Sequence, residues 1–548
     1  MQTRVTDYSN LKIDLVPRVI RGLSCQAIAF SGDGLPVRNA QLPDASPARP
    51  APQSVDEVRV YGQFIDGTWT PWPEPEAALE RVGPGTGGRV VARFTRGTSQ
   101  DVSDAVGAAR RSFDEGPWPR MSGIDRGRAL LRLAGLLREH SERFARIEAQ
   151  EVGKPIRLAR GDVDACVDMI EYAGGLAMAT TGDAHTNLGE TFHSWTVREP
   201  VGVVAMVTPW NFPLLQLVQK LPFALGSGCT AVVKPSEMTS STTLELALLA
   251  QQAGVPDGVI SVVTGEGKDV GQALAESPEI DLMSFTGSTA TGQAVSVAAA
   301  ANATRLSLEL GGKAATIVCA DADLDDALDG TLFGLLFNQG ECCVSGARLL
   351  VEQSIADEFL DRLVSAAAAV RVGPPLDEDT EVGALISPDH VQKVLSFLAP
   401  ERLGKGRVLT GGEIRDTDFV TPTIVDDVTP DSALFQEEIF GPVLAVTRFR
   451  DLDEAIQLAN AVDYGLANSI WSKNVDKTLM AARRLRSGRV WINTTIDGSA
   501  QLPAGGMGAS GYGREMGRQG FDEFTELKSV QLRTGPRERF FAATRALS

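Results

Sequence analysis

Two adjacent thiols, Cys342 and Cys343, close the segment Asn338-Gln339-Gly340-Glu341-Cys342-Cys343. A thiolate is a strong nucleophile toward a carbonyl carbon, and a helix N-terminus or nearby donors favour that form. Upstream, Leu308-Glu309-Leu310-Gly311-Gly312-Lys313 sets one carboxylate between leucines. Apolar surroundings raise a carboxyl pKa and make Glu309 a candidate general base. Thr208-Pro209-Trp210-Asn211-Phe212-Pro213 is a turn held by two prolines, with the amide donor of Asn211 at its tip. Each has a plain alternative: packed core cysteines, a surface glutamate, and a turn asparagine bonding its own backbone.

Further segments suit a phosphate- or ribose-bearing ligand. In Lys234-Pro235-Ser236-Glu237 the carboxylate suits ribose hydroxyls and the lysine suits hydroxyl or phosphate oxygens, although a solvated ion pair would look the same. Phe285-Thr286-Gly287-Ser288 has a glycine that lets a ligand approach the backbone before a helix N-terminus. Gly265-Glu266-Gly267 is followed by glycine only at Gly271, one position off the dinucleotide fingerprint.

These segments need strands that end where they begin. Short apolar runs at 201–207, 230–233, 259–263 and 282–285 alternate with helical patterns at 215–225, 242–253 and 269–275. Longer helical periodicity covers 101–113 and 126–152. Strand, helix, strand at this spacing predicts right-handed crossovers and a mainly parallel sheet, with ligands beyond the carboxyl ends of its strands. A second α/β series begins near Ala314, with elements at 323–337, 347–351, 355–370, 451–459 and 490–493. The expectation is an α/β protein of two lobes with a cleft between them. Residues 1–56 are broken by Pro and Gly, end in Ala45-Ser46-Pro47-Ala48-Arg49-Pro50-Ala51-Pro52, and read as a flexible appendage rather than a small ordered cap.

Composition removes other classes. The chain has 548 residues, and 52 Lys+Arg against 70 Asp+Glu leave a formal charge of −18. That balance argues against a nucleic-acid or anionic-membrane partner. No apolar run is long enough to span a bilayer. Six scattered cysteines without CxxC, and four histidines without HExxH, support neither a disulfide framework nor a metal site, and a cytoplasmic setting fits. Neither a GxSxG elbow nor a GxxxxGK[ST] loop is present.

Taken in order from Phe64 to Leu532, these segments resemble motifs of the aldehyde dehydrogenase superfamily, together with Glu437-Glu438-Ile439-Phe440-Gly441-Pro442 and the Gly505-Gly506…Ser510-Gly511 stretch. The resemblance implies a two-lobed fold with a Rossmann-like cofactor domain (57–184 and 201–309), an α/β catalytic domain (310–525) and a small β oligomerisation arm (185–200 and 526–540). It implies Cys343 as nucleophile, Glu309 as general base, and Asn211 with the Cys343 N–H as oxyanion donors. Lys220 and Glu515 match a proton-relay pair. NAD is the implied cofactor, with Lys234, Glu237 and Glu438 on its riboses, Trp210, Ser236 and Phe440 lining it, and Gly287 and Ser288 near the pyrophosphate and nicotinamide. Glu237 would repel a ribose 2′-phosphate, so NAD is expected over NADP. The arm implies a homodimer or homotetramer.

Departures from the family pattern concern the substrate. Cys342 and Phe212 belong to the implied pocket, whereas Gln219 and Ala504 stand where aromatic residues are frequent, and Gly508 replaces a frequent lysine. Two lost rings predict a wider, more polar pocket, and Gln219 supplies no positive charge for a carboxylate-bearing aldehyde. The expected substrate is an aliphatic or polar aldehyde, with amino and betaine aldehydes as examples. Two rival classes are an acylating relative that passes its thioester to coenzyme A and a catalytically silent structural relative. The presence of Glu309, Cys343 and Asn211 speaks against both.

Overall fold

Five apolar strands, Val203–Val207, Thr230–Lys234, Ile260–Val262, Leu282–Thr286 and Arg305–Glu309, form the parallel centre of an eight-stranded sheet. Side chains alternate across Val203–Val207. Val203 and Ala205 pack with Val102, Ala105 and Val106 of the helix Ser99–Asp114, while Val204 and Met206 join the core on the other face. Both faces are covered, which is why these strands read as unbroken apolar runs. The protein is described here by a computed structural model covering residues 54–541, all within the compact unit Pro47–Ser548. The appendage expected at 1–56 lies outside the described residues up to position 53.

Spatially the parallel strands run 305–309, 282–286, 203–207, 230–234, 260–262. The chain lays down its first strand in the middle, builds outward one way, then crosses back to build the other way. The carboxyl ends of Val203–Val207 and Leu282–Thr286 therefore flank the switch point, where a crevice opens in doubly wound sheets. A hairpin, Phe64–Ile65 with Thr68–Trp69, closes one edge. The other edge is closed by Gly511–Tyr512, antiparallel to Arg305–Glu309, with Gly511 opposite Glu309.

A second sheet has the order Arg407–Thr410, Thr423–Asp426, Val443–Phe449, Arg348–Glu352, Ala315–Val318, Ala467–Trp471, Arg489–Ile492. Its strands are parallel except Arg407–Thr410 at the edge. Two hydrogen bonds extend this edge pairing just beyond Glu309: Leu310 N–H donates to Ser510 O at 3.1 Å, and Ser510 Oγ donates to Gly311 O at 2.7 Å. Gly465 N–H, ahead of the strand Ala467–Trp471, donates to the same Ser510 Oγ at 3.0 Å. A third sheet pairs Phe192–Pro200 with Thr525–Arg533 over nine registered positions, with Ala184–His185 alongside.

Two helical expectations change. The run at 215–225 is two helices, Pro213–Val218 and Leu221–Ser227, because Pro222 has no N–H to continue the ladder. The break falls at Gln219 and Lys220. The run at 126–152 divides at His140 into Gly123–Glu139 and Ser141–Val152.

Candidate active site

Cys343 follows a tight turn, Phe337–Gly340, in which Asn338 and Gln339 take left-handed backbone angles (φ +52° and +57°). Such angles cost non-glycine residues energy and persist where surroundings over-determine them. Here the turn is pinned from inside: Asn338 Nδ2 donates to Glu341 O and to Asn211 O, both at 3.1 Å, and Gln339 Nε2 donates to Glu341 Oε2 at 3.1 Å. The buried Glu341 carboxylate also accepts from Ile386 N–H at 2.8 Å. The cysteine pair is therefore not generic core. Cys342 is buried, whereas Cys343 is half-buried, and both line a cavity of about 380 Å³.

Asn211 leaves the end of Val203–Val207 and reaches that same turn. Its Nδ2 donates to Glu341 O at 2.9 Å, a long-range bond that rules out the plain reading of a turn residue satisfying its own backbone. One of two N–H groups is thereby used and the amide is oriented.

Glu309 ends Arg305–Glu309 and enters the cavity wall. Its Oε1 is buried and has no hydrogen-bond partner among the described residues. Burial pushes its carboxyl up to about 7, opposed by Lys220, Arg514 and Arg489. The two following glycines allow close approach. A Cβ at Gly312 would sit 2.2 Å from Cys343 O, and one at Gly311 would sit 2.4 Å from Glu438 Oε2.

The helix break puts Lys220 in the interior, where it is fully buried and in contact with Glu515. Burial pulls its ammonium down to about 7, opposed by Glu309 and Cys343. The Cys343 thiol is held well above its usual range by the neighbouring Cys342 thiol, by burial, and by the carboxylates of Glu438 and Glu309. Cys343, Glu309, Lys220 and Glu515 thus form one electrostatic cluster, and Glu309 and Cys343 have pKa values that move with the charge of their neighbours.

Phe212, Gln219, Ala504 and Phe337 also line the cavity. The rings of Phe212 and Phe337 stack at 5.6 Å, and Lys154 Nζ sits 4.3 Å from the Phe212 centroid. Gln219 and Ala504 do leave wall positions without rings, but Phe337 supplies one that was not anticipated. Arg489 also lines the cavity, so the wall is not devoid of positive charge as the identity of Gln219 suggested. Nothing near Arg489 in sequence marks it. The strand Arg489–Ile492 brings it in from the far edge of the second sheet.

The residues expected to hold a dinucleotide lie around the switch point. Lys234 is buried and donates to Pro235 O at 3.1 Å, with its Nζ 3.5 Å from Glu237 Oε2, so the lysine end of this pair is shielded from solvent. Ser236 is buried beside them. The Glu237 side chain is 41% exposed. Ser288 caps the twelve-residue helix Thr289–Ala300, and Gly287 N–H donates to Glu309 O at 3.0 Å. Glu438 accepts from Gly312 N–H at 2.9 Å, and burial pushes its carboxyl up to about 7. Trp210 and Phe440 meet edge to face at 5.3 Å. His390, which sequence reasoning passed over, packs against both rings and its Nε2 lies 2.7 Å from Phe440 O. A carboxylate beside a lysine, the N-terminus of a twelve-residue helix, and a second carboxylate against closely packed glycines suit ribose and pyrophosphate, so this donor set fits NAD. Among the described residues no cluster of three or more His, Cys, Asp or Glu is placed to hold a metal ion, and no helix is long and apolar enough to cross a membrane.

Comparison with known proteins agrees with this geometry. The model of the aldehyde dehydrogenase family matches residues 69–530. A betaine aldehyde dehydrogenase of Bacillus subtilis is 40% identical over 479 residues, covering 86% of this chain and 97% of that protein. An aminoaldehyde dehydrogenase of Pisum sativum is 38% identical, covering 85% and 94%. The crystal structure of an NAD-dependent aldehyde dehydrogenase from Sinorhizobium meliloti superposes with a TM-score of 0.86 at 46% identity, covering 88% and 96%. A betaine aldehyde dehydrogenase from Staphylococcus aureus in complex with NAD+ superposes with a TM-score of 0.85 at 36% identity, covering 88% and 97%. On these matches this chain belongs to the aldehyde dehydrogenase family and oxidises an aldehyde with NAD as cofactor.

Proposed function

We propose that Cys343 is the nucleophile, Glu309 the general base and Asn211 the oxyanion donor in the oxidation of an aliphatic or polar aldehyde to its carboxylic acid. The observation that carries this reading is the bond from Asn211 to the Glu341 carbonyl, which aims the amide at the loop bearing Cys343.

The Cys343 sulfur, once deprotonated, bonds to the aldehyde carbon, and negative charge grows on the oxygen. Asn211 Nδ2 and the Cys343 N–H stabilise it, each donor contributing about 3–4 kcal/mol in comparable sites. Lys220, buried against Glu515, is the nearby group that exchanges protons with Glu309 and Cys343. NAD, when bound, supplies the acceptor for the hydride that leaves the tetrahedral carbon. The acyl group then remains on Cys343 as a thioester. Glu309 takes a proton from water, the resulting hydroxide equivalent attacks the acyl carbon, and the Cys343 thiolate leaves. The unpartnered Oε1 of Glu309 favours water over coenzyme A as acyl acceptor. Lys234, Glu237 and Glu438 hold the riboses, Trp210, Ser236 and Phe440 line the cofactor, and Gly287 and Ser288 admit the pyrophosphate.

Residues 57–184 and 201–309 are assigned to cofactor binding, 310–525 to catalysis, and 185–200 with 526–540 to a cytoplasmic homodimer or homotetramer. The paired strands Phe192–Pro200 and Thr525–Arg533 expose Phe192, Trp195, Leu527 and Leu532 beside a free sheet edge, which supports assembly. The names of two relatives put amino and betaine aldehydes among the first substrates to assay.

The test follows NADH absorbance with propanal and NAD, alongside mass spectrometry of the quenched enzyme. An acyl adduct on the peptide carrying Cys343, absent in Cys343→Ala along with turnover, is the expected result. Turnover that persists in Cys343→Ala without any adduct would refute it.

A further inference from the structure

Arg489 opens the strand Arg489–Ile492 and forms part of the cavity wall with Ile496, Gly498 and Ser499. A guanidinium carries five N–H donors in a planar fork. Among the described residues this one donates no hydrogen bond, and its Nη2 is shut away from solvent without an acceptor. Its neighbours are poor partners. The Trp491 ring lies 5.6 Å from the guanidinium carbon, and Gly498 is close enough that a Cβ there would sit 3.7 Å from Nη1.

The other charged side chains around the cavity differ. Lys220 touches Glu515, and Asp162 accepts from Lys154 at 2.7 Å. Glu309 is the base, and Asp168 stands exposed to solvent. Arg489 is therefore the cation of the wall that lacks a paired carboxylate among the described residues, and Cys343, Glu309 and Cys342 are the thiols and acid within its electrostatic reach. An unpaired, half-buried guanidinium is costly unless a ligand completes it, and a carboxylate supplies both the opposite charge and an acceptor for an N–H that faces the cavity.

We propose that Arg489 is a specificity-determining residue that receives the carboxylate of the substrate, so that the site favours aldehydes bearing a carboxylate over those bearing a fixed positive charge beside the carbonyl. This rests on the aldehyde oxidation proposed above and narrows its polar substrates. The positive group that Gln219 does not provide comes instead from another strand. A quaternary ammonium on the carbon next to the aldehyde would be held near Arg489 with like charge and no exchangeable proton to relieve it.

Three aldehydes of different charge separate the possibilities in steady-state kinetics: succinic semialdehyde (anionic), the smaller propanal (the neutral reference) and betaine aldehyde (cationic, similar in size to the first). The intact enzyme should rank them in that order in kcat/KM. In Arg489→Gln the ratio of succinic semialdehyde to propanal should fall about tenfold or more, while the ratio of betaine aldehyde to propanal rises. Arg489→Lys should lie between. Propanal as internal reference cancels losses common to all substrates, which a purely structural role would produce. Ratios unchanged within about twofold in Arg489→Gln, or betaine aldehyde outranking succinic semialdehyde in the intact enzyme, would overturn the assignment. The second outcome needs no variant, so a misfolded substitution does not rescue the idea. NADH from none of the three would overturn the oxidation itself, a different failure.

Discussion

The side-chain amide of Asn211 and the main-chain carbonyl of Glu341 lie 2.9 Å apart, and this bond ties the end of the strand Val203–Val207 to the loop carrying Cys343. Asn338 donates to the same carbonyl at 3.1 Å, so the loop has a second tether. The two bonds divide function from stability. On the mechanism proposed above, one orients the oxyanion donor, and the other keeps the turn in place without it.

Asn211→Ala therefore should lower kcat for propanal about 10²–10³-fold, the loss typical of one oxyanion donor. Because Asn338 still satisfies the Glu341 carbonyl, stability should fall by only about 1 kcal/mol. Steady-state kinetics and urea unfolding measured on the same sample check both parts. A large loss of stability with kcat intact would reverse the division.

The second prediction concerns pH. Burial raises the Glu309 carboxyl to about 7, so its proton persists to higher pH than on a free glutamate. As a base it works ionised, so thioester hydrolysis should fall off as pH drops through about 7. The stability sign is opposite. Between the ordinary carboxyl range and about 7 the unfolded chain ionises while the native one does not, so this group makes the protein less stable as pH rises there. Glu309→Gln should remove the pH limb of hydrolysis and leave a burst of about one NADH per active site followed by slow turnover. Stopped-flow absorbance across pH 5–9 reads both, and a pH limb that survives in Glu309→Gln would assign it to another group.

The third prediction is that cofactor choice rests on the Glu237 side chain, which lies partly exposed 3.5 Å from Lys234. Its negative charge should penalise a ribose 2′-phosphate, giving NAD the higher kcat/KM. In Glu237→Gln the NADP value should rise about tenfold relative to NAD, since the repulsion goes and Lys234 remains. Parallel titrations with both cofactors decide it, and NADP preferred by the intact enzyme would sink the claim.

Lys220→Met should leave Glu515 buried without its cation. Breaking a buried pair by removing one partner costs about 3–5 kcal/mol. Adding Glu515→Gln should recover much of that loss, because the uncompensated charge goes with it. Denaturant midpoints of the single and double variants measure the difference, and equal midpoints would show that the contact carries no such coupling.

Much of this was legible along the chain. The apolar runs that became Val203–Val207, Thr230–Lys234 and Leu282–Thr286 are local patterns, and the polar residues following them had to sit at strand ends. The break at Lys220 was less visible. Leucines continue on either side, and only Pro222 signals that one helix must become two.

The order of residue types along the chain by itself determined an α/β protein and placed Asn211 and Cys343 beyond the ends of its elements, while Glu309 showed only as a carboxylate between leucines, because hydrophobic period and turn chemistry act over a few residues. Only the tertiary structure decided that Asn211 bonds to a loop 130 residues away, that Cys342 is wall while Cys343 is half-open, and that Arg489 enters the cavity with no carboxylate paired to it among the described residues. Those outcomes depend on which strands become neighbours and on what burial does to a charge, and both are set by contacts between distant segments.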